Sequence, residues 1–292
     1  MSEIEREIDS QPERWREAAI RASQVAADLP RLGERVAAVG CGTSLFMAQA
    51  YAGLRESSGA GETDAFPASE APTGRDYDAM IAISRSGTTT EVARLLEILP
   101  RSTRTVAICG VAGTPVASAA GRTIVLDRAD ERSVVQTRFA TTTLALLRAS
   151  LGEDLEAVIR DGEACLAAEL PIEPSAFDHY VSLGRGWTVG LANEAALKLR
   201  ETSQAWAESY PMMEYRHGPI SVAGPRSVVW MLGEAEPALV DDVRETGATV
   251  VAAAHDPMAE LIRIQRTAVA LAASRGLDPD RPRHLTRSVV LS

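Results

Sequence analysis

Three times along this chain a short apolar run breaks at a glycine-bearing turn and gives way to apolar residues at helical spacing. Arg35-Val-Ala-Ala-Val39 meets Gly40-Cys-Gly-Thr-Ser44 ahead of a helical pattern over 46–54, and Ala79-Met-Ile-Ala-Ile83 meets Ser84-Arg-Ser-Gly-Thr-Thr89 ahead of a helix reaching Ile98. Tyr180-Val-Ser-Leu183 then meets Gly184-Arg-Gly186 ahead of a helix over 191–206. A continuous apolar strand, a tight turn and a helix make up the repeating unit of a parallel sheet, because parallel neighbours need a crossover to bring the chain back. Further strands are expected at 105–109, 123–126, 227–232 and 248–254, and helices at 137–151 and 258–275. An amphipathic helix is expected over 13–29, with Trp15, Ala18, Ala22, Val25 and Leu29 on one side and Pro30 as its end. The fold class is therefore α/β, two doubly wound parallel-sheet domains in tandem.

At 292 residues the length suits two ordinary domains. The two prolines of Pro171-Ile-Glu-Pro-Ser175 make the best linker, giving an N-terminal helix over 1–33, a first domain over 34–170 and a second over 171–292. Apolar residues make up 46% and aromatics only 4%, so the core must be built from Ala, Leu and Val. A net charge of −10 argues against nucleic acid as a partner. The 3 cysteines, Cys41, Cys109 and Cys165, are far apart and show neither disulfide nor zinc-knuckle spacing, so no metal is expected. With no secretory leader pattern and no long apolar run, a cytoplasmic protein without a membrane segment is expected.

Ligands of open parallel sheets bind beyond the carboxyl ends of the strands, where helix N-termini aim free N–H groups outward. The loop holding Ser84, Ser86, Gly87, Thr88 and Thr89 offers hydroxyls, a close backbone approach and a helix dipole to a compact dianion such as a phosphomonoester. A plain Ser/Thr-rich helix cap accounts for one such loop equally well. The loop with Cys41, Gly42, Thr43 and Ser44 offers the same chemistry on the neighbouring strand, and two such loops favour a ligand. Neither matches a dinucleotide or Walker fingerprint, so no cofactor is expected.

On the helix over 191–206, Glu194, Lys198 and Glu201 stand at i, i+4 and i+7, on one face. A surface salt-bridge ladder is the ordinary reading of such a row. Lys198, however, is the only lysine in a chain that otherwise uses arginine, and a surface bridge would accept Arg readily. A buried point charge between two carboxylates would not. His217, in Met213-Glu-Tyr-Arg-His217-Gly-Pro219, sits at a turn where a titratable ring is useful, whereas His179, His255 and His284 have no comparable polar setting.

These motifs, with Ser69-Glu70 and Glu131-x-x-Val134, occur in the order and approximate spacing of the sugar isomerase (SIS) tandem of glucosamine-fructose-6-phosphate aminotransferase, which the chain resembles without its glutaminase half. The resemblance implies two SIS, flavodoxin-like domains acting on a hexose or hexosamine 6-phosphate. It implies that Cys41, Gly42, Thr43, Ser44, Ser84, Ser86, Gly87 and Thr89 hold the phosphate, with Val134 against the sugar. It further implies Glu201 as the base moving a proton between C1 and C2, Glu194 and Lys198 as its partners, and His217 of a neighbouring subunit as the ring-opening group of a homodimer with shared active sites. Arg85 replaces the family's glutamine and is expected to add charge near the phosphate. Arg287 replaces the tail lysine that forms an imine; arginine stays protonated and cannot. An aldose–ketose isomerase or amino-sugar-phosphate deaminase/isomerase is the leading expectation, with a fructosamine-phosphate deglycase and a non-catalytic phosphosugar sensor as alternatives.

Overall fold

The computed structural model describes residues 1–100 and 102–291. In chain order the helices and strands are α1 (Glu3–Asp9), α2 (Gln11–Gln24), β1 (Val36–Gly40), α3 (Thr43–Ser57), β2 (Thr63–Pro67), β3 (Ala79–Ser84), α4 (Thr90–Ile98), β4 (Arg104–Cys109), α5 (Pro115–Ala119), β5 (Arg122–Val125) and α6 (Arg138–Ser150). They continue with α7 (Glu156–Ala167), β6 (His179–Gly184), α8 (Thr188–Ser203), β7 (Trp206–Pro211), β8 (Ser227–Leu232), α9 (Pro237–Glu245), β9 (Thr249–Ala252) and α10 (Pro257–Ser274). They fall into two compact units, a first of Glu13–Glu156 with Thr286–Ser292 and a second of Met1–Pro12 with Ala157–Leu285.

The first unit holds a parallel sheet of order β2-β1-β3-β4-β5. β1, β3 and β4 are buried on both faces, which is why they read as unbroken apolar runs. Ala37, Val39, Met80, Ala82, Ala107 and Cys109 pack with Val92, Leu95 and Leu96 of α4 and Val116 of α5. α3 packs on β1, β2 and α6. Trp15 of α2, fully buried, donates from Nε1 to Thr141 Oγ1 of α6 at 2.9 Å, so its indole polar end is satisfied. The strand order reverses direction between β1 and β3, and the loops leaving those two strands are the two rich in hydroxyls.

The second unit repeats this order with one strand fewer, β7-β6-β8-β9, again parallel throughout. Val181, Leu183, Val229 and Met231 pack with Leu239 and Val243 of α9 and with Met212 and Tyr215, while α8 packs on β6, β7 and α10. Two doubly wound sheets, as expected, are thus present.

Boundaries differ from those expected. The units part at 156/157, and the proline-bearing stretch 171–175 lies inside the second unit. Its prolines do not release the chain because α7, just before them, buries Val158, Ile159 and Cys165. Residues 1–33 are not a separate element either. Ser2 caps α1, whose Glu3 and Ile4 amides donate to Asp280 at 2.8 Å within the second unit, whereas α2 from Glu13 onward belongs to the first. The helix expected over 13–29 stops at Gln24, and the one expected over 191–206 stops at Ser203, where Gln204 turns left-handed with φ of 55°. No helix among the described residues is long and apolar enough to cross a membrane.

Candidate active site

In the first unit, β3 delivers Ser84 to the mouth of the sheet and Thr89 stands just before α4. Thr89 does not cap that helix with its side chain; its Oγ1 lies 3.3 Å from Ser84 Oγ instead. Gly87 N donates to Ser84 Oγ at 3.2 Å, and Thr88 donates from N and Oγ1 to Ser86 Oγ at 3.2 and 3.0 Å. The loop holds two hydroxyl pairs, Ser84 with Thr89 and Ser86 with Thr88, rather than a plain cap. Gly87 is obligatory on two counts: its φ is +66°, and a Cβ there would stand 2.1 Å from Thr114 Oγ1. On the neighbouring strand Gly42, with φ of 55°, opens α3 and leaves Thr43 and Ser44 buried in its first turn. Cys41 beside them is half-buried, and that burial, followed by the nearby Glu91 carboxylate, pushes its thiol up and keeps it neutral.

Three expected site residues, Arg85, Val134 and Arg287, are linked to one another. The Arg85 guanidinium does not project from the phosphate loop as a free charge. It is buried, donates to the carbonyls of Ser133, Val134 and Arg287 at 3.0, 3.1 and 2.7 Å, and lies 3.7 Å from Glu131 Oε2. A desolvated guanidinium has five donors to satisfy, and three carbonyls take bonds from the two terminal nitrogens of this one. Val134 is therefore fixed through its backbone, and Arg287 is tied at both ends, its side chain pairing with Asp130 and the Glu131 carbonyl. Glu131 in turn caps α6, accepting at Oε1 from Thr137 N, Thr137 Oγ1 and Arg138 N at 2.6, 2.9 and 2.7 Å.

Ser288, Val289 and Leu291 escaped the sequence reading, although Arg287 beside them did not. Thr88 Oγ1 and Ser288 Oγ are 2.7 Å apart, Thr90 N donates to the Val289 carbonyl at 3.3 Å, and Leu291 N donates to Thr90 Oγ1 at 2.9 Å. The C-terminal segment thus lies across the N-terminus of α4 and uses part of its donor set. A stretch without periodicity gave no sign of this.

In the second unit, α8 presents Glu194, Lys198 and Glu201 together. Lys198 Nζ is 2.6 Å from Glu201 Oε2 and 3.5 Å from Glu194 Oε1. The side chains of Lys198 and Glu194 are only 1% exposed and that of Glu201 20%, which rules out a surface ladder. Glu201 opens onto a cleft of about 340 Å³ shared with Arg200, Gln204, Arg283 and His284. His217 does not join this row. It follows the 3₁₀ turn Met212–Arg216, its amide donates to Glu214 O at 3.0 Å, and its exposed ring has no hydrogen bond or ion pair among the described residues.

Residues 33–151, which include the hydroxyl loops of the first sheet, match the SIS domain family. That stretch is similar to an SIS domain. Over 98% of its length the chain aligns at 25% identity with glutamine–fructose-6-phosphate aminotransferase [isomerizing] of Methanothermobacter thermautotrophicus, covering 57% of that protein. The chain spans about half the length of the curated relatives it matches. Among solved structures, glucosamine-6-phosphate deaminase from Thermotoga maritima superposes with a TM-score of 0.84 at 26% identity, covering 99% of this chain and 100% of that one. Tagatose-6-phosphate ketose/aldose isomerase from Escherichia coli shares the fold, with a TM-score of 0.83 at 18% identity over 100% of this chain and 97% of that one. The chain thus resembles both the isomerase half of the aminotransferase and a glucosamine-6-phosphate deaminase.

Proposed function

We propose that this protein acts on a hexose or hexosamine 6-phosphate by moving a proton between C1 and C2, as an aldose–ketose isomerase or an amino-sugar-phosphate deaminase/isomerase. The observation that carries this is the buried row on α8. Taking three charges out of water costs several kcal/mol per ion before their mutual attraction is counted. A module that only binds phosphate has no use for such a row, whereas proton transfer at carbon needs a fixed base and is accelerated about 10²–10⁴-fold by one.

Glu201 is the base. It takes the proton from C2 of the open-chain aldose as the C1 carbonyl becomes an enediol, then returns it to C1, so that no proton is gained or lost overall. With a 2-amino sugar the same transfer gives the C2 imine in place of the ketone, and water adds to that imine to release ammonia and leave the ketose phosphate. Lys198 holds a positive charge beside Glu201, and Glu194 is its second partner. The hydroxyls and amides at Ser84, Ser86, Gly87 and Thr89, with Cys41, Gly42, Thr43 and Ser44, bind the phosphate. Val134 lies against the sugar, and Arg287, already tied to Asp130, acts as a fixed charge rather than an imine-forming amine. The exposed ring of His217 suits service to the site of a second copy, as a homodimer would require. The matching strand order supports reading the second unit as a second SIS domain.

Incubating the protein with hexose and hexosamine 6-phosphates, while following aldose–ketose conversion and ammonia release, tests the proposal. Conversion abolished by Glu201→Gln supports it. Tight binding of a sugar phosphate with no conversion of any member of the panel would instead make the protein a sensor.

A further inference from the structure

Away from every residue assigned above, the second unit gathers Cys165, His255 and Glu260, whose ligand atoms all lie within 4.8 Å of one another. Cys165 comes from α7, His255 from the connection between β9 and α10, and Glu260 from the first turn of α10. Cys165 and Glu260 are fully buried and His255 is partly exposed. The two segments are stitched together at this point. Asp256 caps α10 by accepting from Met258 N at 2.8 Å, and its own amide donates to Asp161 Oδ2 at 2.7 Å. Asp161 stands one helical turn before Cys165 on α7, and its other oxygen is 3.7 Å from His255 Nδ1.

We propose that this cluster binds a divalent transition-metal ion of the zinc class, with Cys165, His255 and Glu260 as ligands and Asp161 as the group that orients the imidazole. The donor set decides the class of ion. One sulfur, one imidazole nitrogen and one carboxylate suit a borderline-soft ion, whereas calcium and magnesium take oxygen ligands. A carboxylate at Nδ1 leaves Nε2 for the metal, the outer arrangement that metal-bound histidines generally have. A nucleophilic thiol is the competing use of a cysteine beside a histidine, but a sulfur without solvent access does not reach a substrate.

The ion has one rival. Glu260 accepts from Arg263 Nη1 at 2.9 and 3.1 Å and from Trp230 Nε1 at 3.2 Å, and the Arg263 guanidinium lies 5.8 Å from the centre of the Trp230 ring. A bound metal shares Glu260 with this arginine, so the carboxylate is already shaped to hold a cation. Binding would pin α7 to the start of α10, a structural role separate from turnover of any sugar.

The test uses the whole chain, stripped with a chelator and titrated with cobalt(II) chloride. One equivalent producing a thiolate-to-cobalt charge-transfer band, displaced by zinc and accompanied by a rise in melting temperature, is the expected result. Cys165→Ser removes the band, and Asp161→Asn weakens binding about 10–100-fold. His255→Ala, at a partly exposed position, also removes it and serves if Cys165→Ser fails to fold. No band in the unaltered chain overturns the proposal, as does a band that survives in folded Cys165→Ser or His255→Ala, since the ion then sits elsewhere, for instance at Cys41.

Discussion

Replacing Lys198 by methionine removes one charge from a site where two carboxylates depend on it. At an effective dielectric of about 20, Coulomb's law gives attractions of about 6 kcal/mol for the 2.6 Å pair with Glu201 and about 5 kcal/mol for the 3.5 Å pair with Glu194. Desolvation of the three groups offsets much of that sum, so the measurable effect is the cost of stranding a buried charge, about 3–5 kcal/mol. Glu201 is partly solvated and its share is screened, which places the expectation near the lower end, about 3 kcal/mol, carried mainly by Glu194. That is a large fraction of the roughly 5–15 kcal/mol that holds a typical domain folded. Urea unfolding at neutral pH, with the slope unchanged, reads it directly. Adding Glu194→Gln to Lys198→Met should return at least about 1 kcal/mol, because the neutral amide no longer needs a cation. Lys198→Arg keeps the charge but overfills a site that is 1% exposed, at about 1–3 kcal/mol, and should abolish turnover because the flat fork displaces Glu201. A Lys198→Met change within about 0.5 kcal/mol of the parent, as at an exposed ion pair, refutes the argument. So does a double variant no more stable than the single one.

Ser86→Ala with Thr89→Ala should weaken binding of a sugar phosphate by calorimetry while leaving the unphosphorylated sugar unaffected; equal loss for both removes the phosphate from that loop. Gly87→Ala should cost more than about 1–2 kcal/mol and disorder the same loop, since it adds a left-handed strain to the clash with Thr114, and normal ligand affinity in that variant would contradict the geometry. Burial pushes Tyr51, Tyr180 and Tyr215 each up to about 12, so the folded chain keeps protons that an unfolded one sheds near pH 10. Their contribution to stability is complete below about pH 10 and disappears as the pH rises toward 12; phenolate absorbance of these rings should appear together with unfolding, and early ionisation in the folded state would contradict their burial. Mixing inactive Glu201→Gln and His217→Ala chains should restore part of the activity if sites are shared in a dimer, and a monomer by ultracentrifugation excludes that sharing.

The strands legible in the sequence were those with unbroken apolar or β-branched runs, which include the edge strands β5 and β9 as well as those buried on both faces. β1, β3, β4, β6 and β8 sit between neighbours and carry continuous apolar runs. β2 (Thr63–Pro67) and β7 (Trp206–Pro211) escaped because each carries an acidic residue and a terminal proline and lacks the β-branched run that marks the other edge strands, β5 and β9. Lys198 could be read as buried because arginine bias made its retention informative. Arg85 could not, since nothing in a sequence says which way a long side chain turns. The division at 156/157 and the cluster of Cys165 with His255 depend on segments about ninety residues apart meeting in space, which local spacing cannot carry.

Lys198 also leaves the folded chain with no accessible ε-amine for acylating reagents, so that only the exposed α-amine of Met1 reacts readily. No second ε-amine exists anywhere in the sequence, and this one is enclosed between two carboxylates. Modification at Lys198 therefore requires α8 to open, and its rate under native conditions counts how often that helix exposes its inner face. A ligand that holds the opened form shut would slow the acylation in proportion to its occupancy, giving a clock for this one helix that needs no turnover and no knowledge of the sugar.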